Sequence, residues 1–248
     1  MQRIHPARRV FAIVAAAAAC ALASLALAAT SASAGAPVTV RVEGPSSTLV
    51  PATSVTLSDT AIVKNGVAAD SCSGNSAAGA LQLATHGNWA GTWSASYHSY
   101  FLTAIDGVSY PSTGAEYWAF WVNDAPASDG ICEYHPKPGD SILFFPACYG
   151  KKCPKATGVL AIKAAAVATV GRSLPVSVTA YNETSGKPAA AAAVTLSGGG
   201  ASARTTAAGT ASLSFAHAGR FTLSASKPGA IRAEAKICVE AAGAKTCG

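Results

Sequence analysis

The chain has 248 residues, 18 Lys+Arg against 12 Asp+Glu, and a formal net charge of +6. Half of it is hydrophobic and only 12% is charged, about half the usual charged share, and Ala alone supplies 57 residues. This argues against disorder, which needs high net charge per residue, and neither Gly-X-Y nor heptad patterning marks a collagen-like or coiled-coil chain. At about 150 residues per domain the length allows one or two domains.

Residues 1–34 read as a secretory signal peptide. Arg3, Arg8 and Arg9 form a basic start, Val10–Ala29 an apolar stretch, and Ala32-Ser33-Ala34 a cleavage site, so the mature chain is expected to begin at Gly35. The alternative is an uncleaved anchor; the small residues before Gly35 favour cleavage. Cys20 lacks the bulky residue three positions earlier that a lipoprotein signal would carry. No later run of 18 apolar residues occurs, so no membrane span is expected after cleavage. Without its leader the chain holds 15 Lys+Arg against 12 Asp+Glu, or +3, spread thinly. A nucleic-acid partner, which requires a clustered basic face, is not expected. Lys151-Lys152 reads as a solvated loop.

Six cysteines remain: Cys72, Cys132, Cys148, Cys153, Cys238 and Cys247. An even number in an exported chain reads as disulfides, with 15 pairings open. Sequence locality favours Cys148–Cys153 and Cys238–Cys247, each closing a short loop, which leaves Cys72–Cys132 to close a long one. A metal centre is not expected. No C-x2-C pair occurs, and His86, His98, His135 and His217 have no ligand spacing to a cysteine pair.

Val38–Val42 alternates as a strand, and Thr53–Leu57 reads as another that could continue to Val63. Asn75 is placed to cap a helix over 76–86, with Gly87 as its stop; Gly79 weakens that helix by about 1 kcal/mol. Trp93–Tyr97, Phe101–Ile105, Tyr117–Val122 and Ser141–Phe145 are rich in β-branched and aromatic residues and read as strands. Strands, one helix, then strands suggest a small α+β sheet with the helix on one face. Cys153–Gly158 reads as a linker. All four Trp and six of the seven Tyr precede it, and most of the repetitive Ala, Gly, Ser and Thr follows it. The chain therefore divides into a domain over 37–154 and another over 158–240.

In the first domain, Tyr117-Trp-Ala-Phe-Trp-Val-Asn123-Asp124 is followed by Gly130, Tyr134, Pro138-Gly-Asp140 and Ile142-Leu-Phe144. Trp118, Phe120 and Val122 face one side of a strand, and Tyr117, Ala119 and Trp121 the other. One set should pack on the helix; the second could be another buried face or an exposed aromatic platform. Asn123-Asp124 and Gly139-Asp140 suit turns. This order of residues resembles the W-x-F-x-V-N … G … G-D signature of the domain family named for the C-terminal part of transcobalamin, over about residues 37–149. The resemblance implies a β-grasp fold, and Cys72…Cys132 is similar to a pair in its secreted members. In transcobalamin this domain helps cover a corrinoid, together with a large helical domain that has no counterpart in this sequence, so the resemblance implies a fold more than a ligand.

In the second domain Leu174–Ala180 alternates, Asn182–Gly186 reads as a turn, an alanine run leads to Val194-Thr-Leu196, and Gly198-Gly-Gly200 is a second turn. Thr205–Leu213 and Ala218–Ala225 follow as T-x-x-x-G-x-A and A-G-x-F-x-L-x-A. The order resembles Ig-like modules of exported bacterial proteins and implies an all-β sandwich. The alanine run 189–193 departs from that pattern and could frame a loop.

Little in the chain points to catalysis. Ser224–Lys227 matches S-x-x-K without its companion motifs, and no nucleophile elbow, zinc-protease or phosphate-loop motif occurs. Asp106, Glu116, Asp124, Asp129, Glu133 and Asp140 are close in sequence, and paired carboxylates can hydrolyse glycosides; acids near turns more simply cap and solubilise. The ring-rich window His86–Phe101 could instead stack on a sugar or planar ligand. The expectation is an exported, non-catalytic protein without a cofactor, an α+β β-grasp-like domain followed by an all-β Ig-like sandwich. It would bind a small molecule, a cell-surface glycan or a protein through Trp89, Trp93, Tyr97, Trp118 and Trp121. A corrinoid or glycan carrier and a secreted hydrolase are the alternatives.

Overall fold

Val38, Val40 and Val42 turn inward from strand β1 (Pro37–Glu43), the alternation a half-buried strand requires. The structure, a computed structural model, describes residues 35, 37–111, 114–150, 158–245 and 247. The leader over 1–34, Cys153 and the linker before Gly158 lie outside the described residues.

After β1 come β2 (Thr48–Thr56), β3 (Ile62–Val63), β4 (Ser71–Cys72), helix α1 (Ala77–Ala84), β5 (Trp89–Ser94), β6 (Ser99–Ile105), β7 (Val108–Ser109), β8 (Glu116–Val122), β9 (Ala125–Pro126) and β10 (Ser141–Cys148). Five strands form a sheet in the order β2-β1-β10-β8-β9. Its central pair, β1 and β10, is parallel and the other neighbours are antiparallel. β5, β6 and β7 form a smaller antiparallel sheet, and β3 pairs with β4. The second strand thus begins at Thr48 rather than Thr53, because its pairing with β1 runs the whole length from Glu43↔Thr48 to Pro37↔Thr56; it stops before Val63, which belongs to β3.

The helix is shorter than 76–86, and Ser76 rather than Asn75 caps it. Ser76 Oγ accepts from Gly79 N at 3.4 Å and donates to Ser73 O at 2.5 Å. Its first two free amides, Ala77 N and Ala78 N, donate to Tyr134 O and Ile131 O at 2.9 and 2.8 Å, which satisfies donors that a helix start otherwise leaves orphaned. Gly87, at φ +82, ends it by donating to Gln82 O at 2.8 Å. Gly79 is needed by packing: a Cβ there would lie 1.9 Å from Gly74 O. Ala77, Ala78, Ala80, Leu81 and Ala84 are buried in one cluster with Val40 and Ile142 of the sheet. The Cys72–Cys132 disulfide ties β4 to the 131–134 loop that caps the helix.

The C-terminal half holds β11 (Gly158–Ala164), β12 (Val167–Thr169), β13 (Ser173–Tyr181), β14 (Pro188–Ala190), β15 (Thr195–Gly198), β16 (Ala201–Arg204), β17 (Thr210–Ser214), β18 (Gly219–Ser226), β19 (Ala230–Ile231) and β20 (Ala233–Glu240). One sheet runs β14-β13-β11-β19, with β17 also on β13; the other runs β12-β20-β18-β15-β16. Leu160, Val176 and Leu213 of the first meet Leu196, Leu223 and Ile237 of the second in one core. Gly199 and Gly200, both at positive φ, form the two-residue turn between β15 and β16. The alanine run splits. Pro188–Ala190 is a short edge strand, then Ala191 is buried and Ala193 turns at φ +58, its surroundings held by Thr205 Oγ1, which donates to Ala191 O at 2.6 Å. Cys238 is bonded to Cys247, and Cys148 is also disulfide-bonded.

The two halves share a third cluster. Trp121, Leu143, Phe145 and Ala147 of the first are buried with Val159 of the second, and Tyr181 and Ile231 pack on them. Strand β10 is therefore covered on both faces, Ile142 and Phe144 belonging to the helix side. Beside this contact, Glu43 is fully buried and fully partnered. It accepts from Arg41 Nη1 at 2.5 Å, Thr48 Oγ1 at 3.0 Å and Arg232 Nε at 2.9 Å. Arg232 Nη2 also donates to Gly44 O at 2.9 Å.

Two changes test these staples. Removing the Cys72–Cys132 cross-link with Cys72→Ser and Cys132→Ser should lower unfolding free energy by about 4 kcal/mol, the loop-entropy value for its separation of 60 residues, read by urea denaturation. Arg232→Ala leaves the Glu43 carboxylate short of a buried partner and should destabilise by about 3–5 kcal/mol; Glu43→Gln combined with Arg232→Met should recover part of that loss.

Candidate functional site

The ring-rich window folds into the β5–β6 hairpin, and the pleat divides its aromatics. Cross-strand pairs share a face, so Trp93 and Tyr100 point one way, Thr92 and Phe101 the other. On the inner side Trp89 and Tyr100 are buried and Trp93 is half-buried. Trp89 meets Tyr100 edge-on at 5.8 Å, and Trp93 meets it at 5.0 Å. Trp89 Nε1 donates to Gln82 Oε1 at 2.8 Å, and the Lys64 ammonium lies 4.5 Å over the Trp89 ring while donating to Gly87 O at 2.9 Å. Burial pushes the Lys64 amine below its ordinary value. Tyr100 OH donates to Asp70 O. These rings weld the 62–72 segment, the helix end and the hairpin together.

Tyr97 does not continue the strand. β5 ends at Ser94 and the chain turns over 95–98, with His98 at φ +46, so Tyr97 rides on the turn. It is 65% exposed and meets Phe101, 53% exposed, edge-on at 5.6 Å. With exposed Thr92 directly across from Phe101, this pair forms a small outward aromatic face. Phe101 closes the ring-rich window but is not one of the five residues expected to bind ligand; the alternation Tyr100-in, Phe101-out, Leu102-in is the signal that singles it out.

The motif strand β8 is core on both sides. Trp118 is buried against Tyr110 at 5.6 Å and Phe120 stacks on Phe144 at 5.6 Å, both facing the helix-side cluster. Trp121, on the opposite face, is 2% exposed between Phe145 and Tyr181. Tyr117 remains at the rim, 44% exposed, beside Tyr149. The second face of the strand is thus a buried one rather than a platform, because the C-terminal half covers it. Trp89, Trp118 and Trp121 do not line one cleft: the first two belong to one cluster and the third to another.

The polar part of the motif is a lock. Asn123 and Asp124, both at positive φ, form the two-residue turn from β8 to β9. Asn123 Nδ2 donates to Asp140 Oδ1 at 2.8 Å, and Asn123 Oδ1 accepts from Ser141 N at 2.9 Å. Asp140 Oδ2 accepts from Lys137 N at 2.8 Å and Tyr134 OH at 3.1 Å. Burial alone would raise the Asp140 carboxyl, but the hydrogen bonds from Lys137 N, Asn123 and Tyr134, with the Lys137 charge, hold it below the ordinary carboxylate range. Two of the other acids lie at turns: Asp106, at φ +48, accepts from Asn88 Nδ2 at 2.7 Å, and Asp129 accepts from Ser128 Oγ at 2.9 Å, whereas Glu116 begins β8. Among the described residues no three His, Cys, Asp or Glu side chains come together as a metal centre would need. Nor is any helix there long and apolar enough to cross a membrane.

Residues 77–145 match the family described as "Domain of unknown function (DUF4430)". No curated protein matches the chain. Among solved structures, it is similar to a "putative metal binding protein from Ruminococcus gnavus ATCC 29149" at 11% identity, over 47% of this chain and 100% of that chain, with a TM-score of 0.33. It is also similar to "Haptocorrin in Complex with Cbi" at 17% identity, over 46% of this chain and 25% of that chain, with a TM-score of 0.34.

Because its folded carboxyl is depressed, Asp140 contributes stability that is present above its unfolded value near 3.8 and is lost as pH falls through the folded one. Urea midpoints at pH 7 and pH 3 should therefore diverge more in the wild type than in Asp140→Asn, which should already be destabilised at pH 7.

Proposed function

We propose that this chain is an exported, non-catalytic binding protein that presents the Tyr97–Phe101 face to a cell-surface glycan. The observation that carries the reading is the exposure of two large rings in edge-to-face contact at the tip of a hairpin whose Trp89, Trp93 and Tyr100 rings are buried or half-buried. An aromatic pair flanked by a hydroxyl offers the apolar CH face of a sugar a stacking surface and its hydroxyls a partner. Trp93, half-buried behind the hairpin, is the reporter closest in sequence to that face; Trp89, Trp118 and Trp121 act as scaffold.

The architecture behind this reading is a β-grasp domain over about 37–154 and an Ig-like sandwich over about 158–240. The parallel β1–β10 pair at the centre of a mixed sheet crossed by one helix supports the first, as does the family match at 77–145. Two five-stranded sheets around one core support the second. Disulfides at Cys72–Cys132 and Cys238–Cys247 support export through the 1–34 leader. The Ig-like half then serves as a spacer that carries the binding domain.

Calorimetric titration with soluble cell-wall glycan fragments and with cobinamide decides between ligands. Glycan fragments should bind, and Tyr97→Ala with Phe101→Ala should weaken them at least about fivefold, from roughly 0.5–1.5 kcal/mol per aromatic contact, without moving Tm by more than a few degrees. Glycan affinity unchanged in the double variant removes the hairpin from the site. Cobinamide binding without glycan binding replaces the glycan reading with a corrinoid carrier.

A further inference from the structure

Charge is divided between the two halves. Residues 35–150 hold nine of the chain's 12 Asp and Glu against three bases, Arg41, Lys64 and Lys137, a net −6. Residues 158–248 hold the other three acids, Glu183, Glu234 and Glu240, against nine bases, a net +6, and residues 151–157 add three lysines and no acid. The +3 expected to be spread thinly is thus the remainder of two opposite charges. Such asymmetry points to an anionic partner for the basic half.

On the second sheet of that half the pleat turns bases outward. Phe221 and Leu223 of β18 and Ala235 and Ile237 of β20 enter the core, so Arg220, Thr222 and Lys236 face away from it. Arg204 of β16 is outward by the same alternation, Ala201 and Ala203 packing inward. Arg220 pairs with Cys238 and Thr222 with Lys236, which makes the two bases diagonal neighbours on adjacent strands. Both line a groove of about 390 Å³, walled by Val167, itself 48% exposed, and by the Cys238–Cys247 disulfide. Beside the groove, Ser202, Ser197 and Ser224 form a row of hydroxyls across β16, β15 and β18.

Among the described residues no acid forms an ion pair with Arg204, Arg220 or Lys236; both ion pairs there belong to Glu43. All 12 acids are described residues, so the segments outside them add no Asp or Glu. The one further negative charge in the sequence, the terminal carboxylate, stands against nine bases. The two acids that share this face are otherwise engaged. Glu234 accepts from Ala52 N of the first half at 3.4 Å, and Glu240 accepts from Cys247 N at 3.1 Å.

We propose that this face binds an acidic polysaccharide, with one uronic-acid unit seated in the groove. The Arg220 guanidinium takes the carboxylate, whose plane matches its fork of donors, and Lys236 supplies the second charge. The CH face of the sugar ring lies on Val167, and the serine row meets hydroxyls of the neighbouring units. A sugar acid suits the groove better than a bare phosphate, because its two bases stand beside an apolar wall. The volume lies within the roughly 300–1,000 Å³ of small-molecule sites. The proposal uses neither Tyr97 nor Phe101. It stands independently of the hairpin reading and gives the C-terminal half a role beyond that of a spacer.

Calorimetry on the full chain compares oligogalacturonate with the same oligomer after its carboxylates are reduced to alcohols. The acid form should bind at least about tenfold more tightly than the neutral one, the range of a charge-assisted hydrogen bond. Its affinity should fall as salt rises through about 0.15 M. Arg220→Gln with Lys236→Gln should abolish the preference. Lys163→Gln with Lys187→Gln removes equal charge from exposed positions on the opposite sheet and should retain it, as should Tyr97→Ala with Phe101→Ala; unliganded Tm should match in all of them. Equal affinity for the two oligomers, no measurable binding, or equal loss in the two glutamine pairs overturns the proposal. So does loss with the hairpin pair, which moves the acidic glycan to that face, and so does single-stranded DNA binding as tightly as oligogalacturonate, which reduces the face to a general polyanion surface.

Discussion

The architecture depends on one strand being buried twice. β10 lies at the centre of the N-terminal sheet, parallel to β1 and antiparallel to β8, and its side chains enter two different cores. Ile142 and Phe144 belong to the layer under the helix, Leu143, Phe145 and Ala147 to the layer shared with the C-terminal half. A strand covered on both faces reads as a continuous apolar run rather than an alternating one, and Ile142-Leu-Phe-Phe145 is such a run. Without the C-terminal half, Trp121 and its neighbours would face water as an aromatic patch.

That arrangement has an electrostatic consequence at its edge. β1 runs one residue past its last inward valine and takes Glu43 into the junction, where a lone carboxylate would be costly. Arg41 from the same strand and Arg232 from just before β20 surround it, and Arg232 also holds Gly44 O. The contact couples the chain entering the first sheet to the chain entering the last strand of the second, across 189 positions of sequence. Its contribution is to the geometry of the junction more than to raw stability, since paired buried charges rarely exceed well-packed apolar residues in net value.

The cores consume most of the candidate rings. Of the five rings expected to bind ligand, Trp89, Trp118 and Trp121 are buried, Trp93 is half-buried and Tyr97 is open. The Tyr97–Phe101 face of the β5–β6 hairpin stays exposed because a turn places Tyr97 over the outward-pointing Phe101, and Tyr117 and Tyr149 stay exposed at the sheet rim. The hairpin pair is not a motif in the chain.

Local pattern carried much of the fold. The alternation of β1 and β13, the Asn182 and Gly199-Gly200 turns, the helix stop at Gly87 and the Cys72–Cys132 and Cys238–Cys247 pairings were legible because each rests on a few adjacent residues or on elimination among six cysteines. The helix cap moved from Asn75 to Ser76, and Gly79 changed from a weak point to a requirement, because both depend on the 131–134 loop and the 74 carbonyl, which local sequence does not place. The same holds for β8. Its two faces follow from a period of two, so the sequence determined which rings oppose which. Whether the Trp121 face would be platform or core depended on a partner surface near residues 159, 181 and 231, and only tertiary contact decides that, since burial belongs to the pair of surfaces and not to either strand alone.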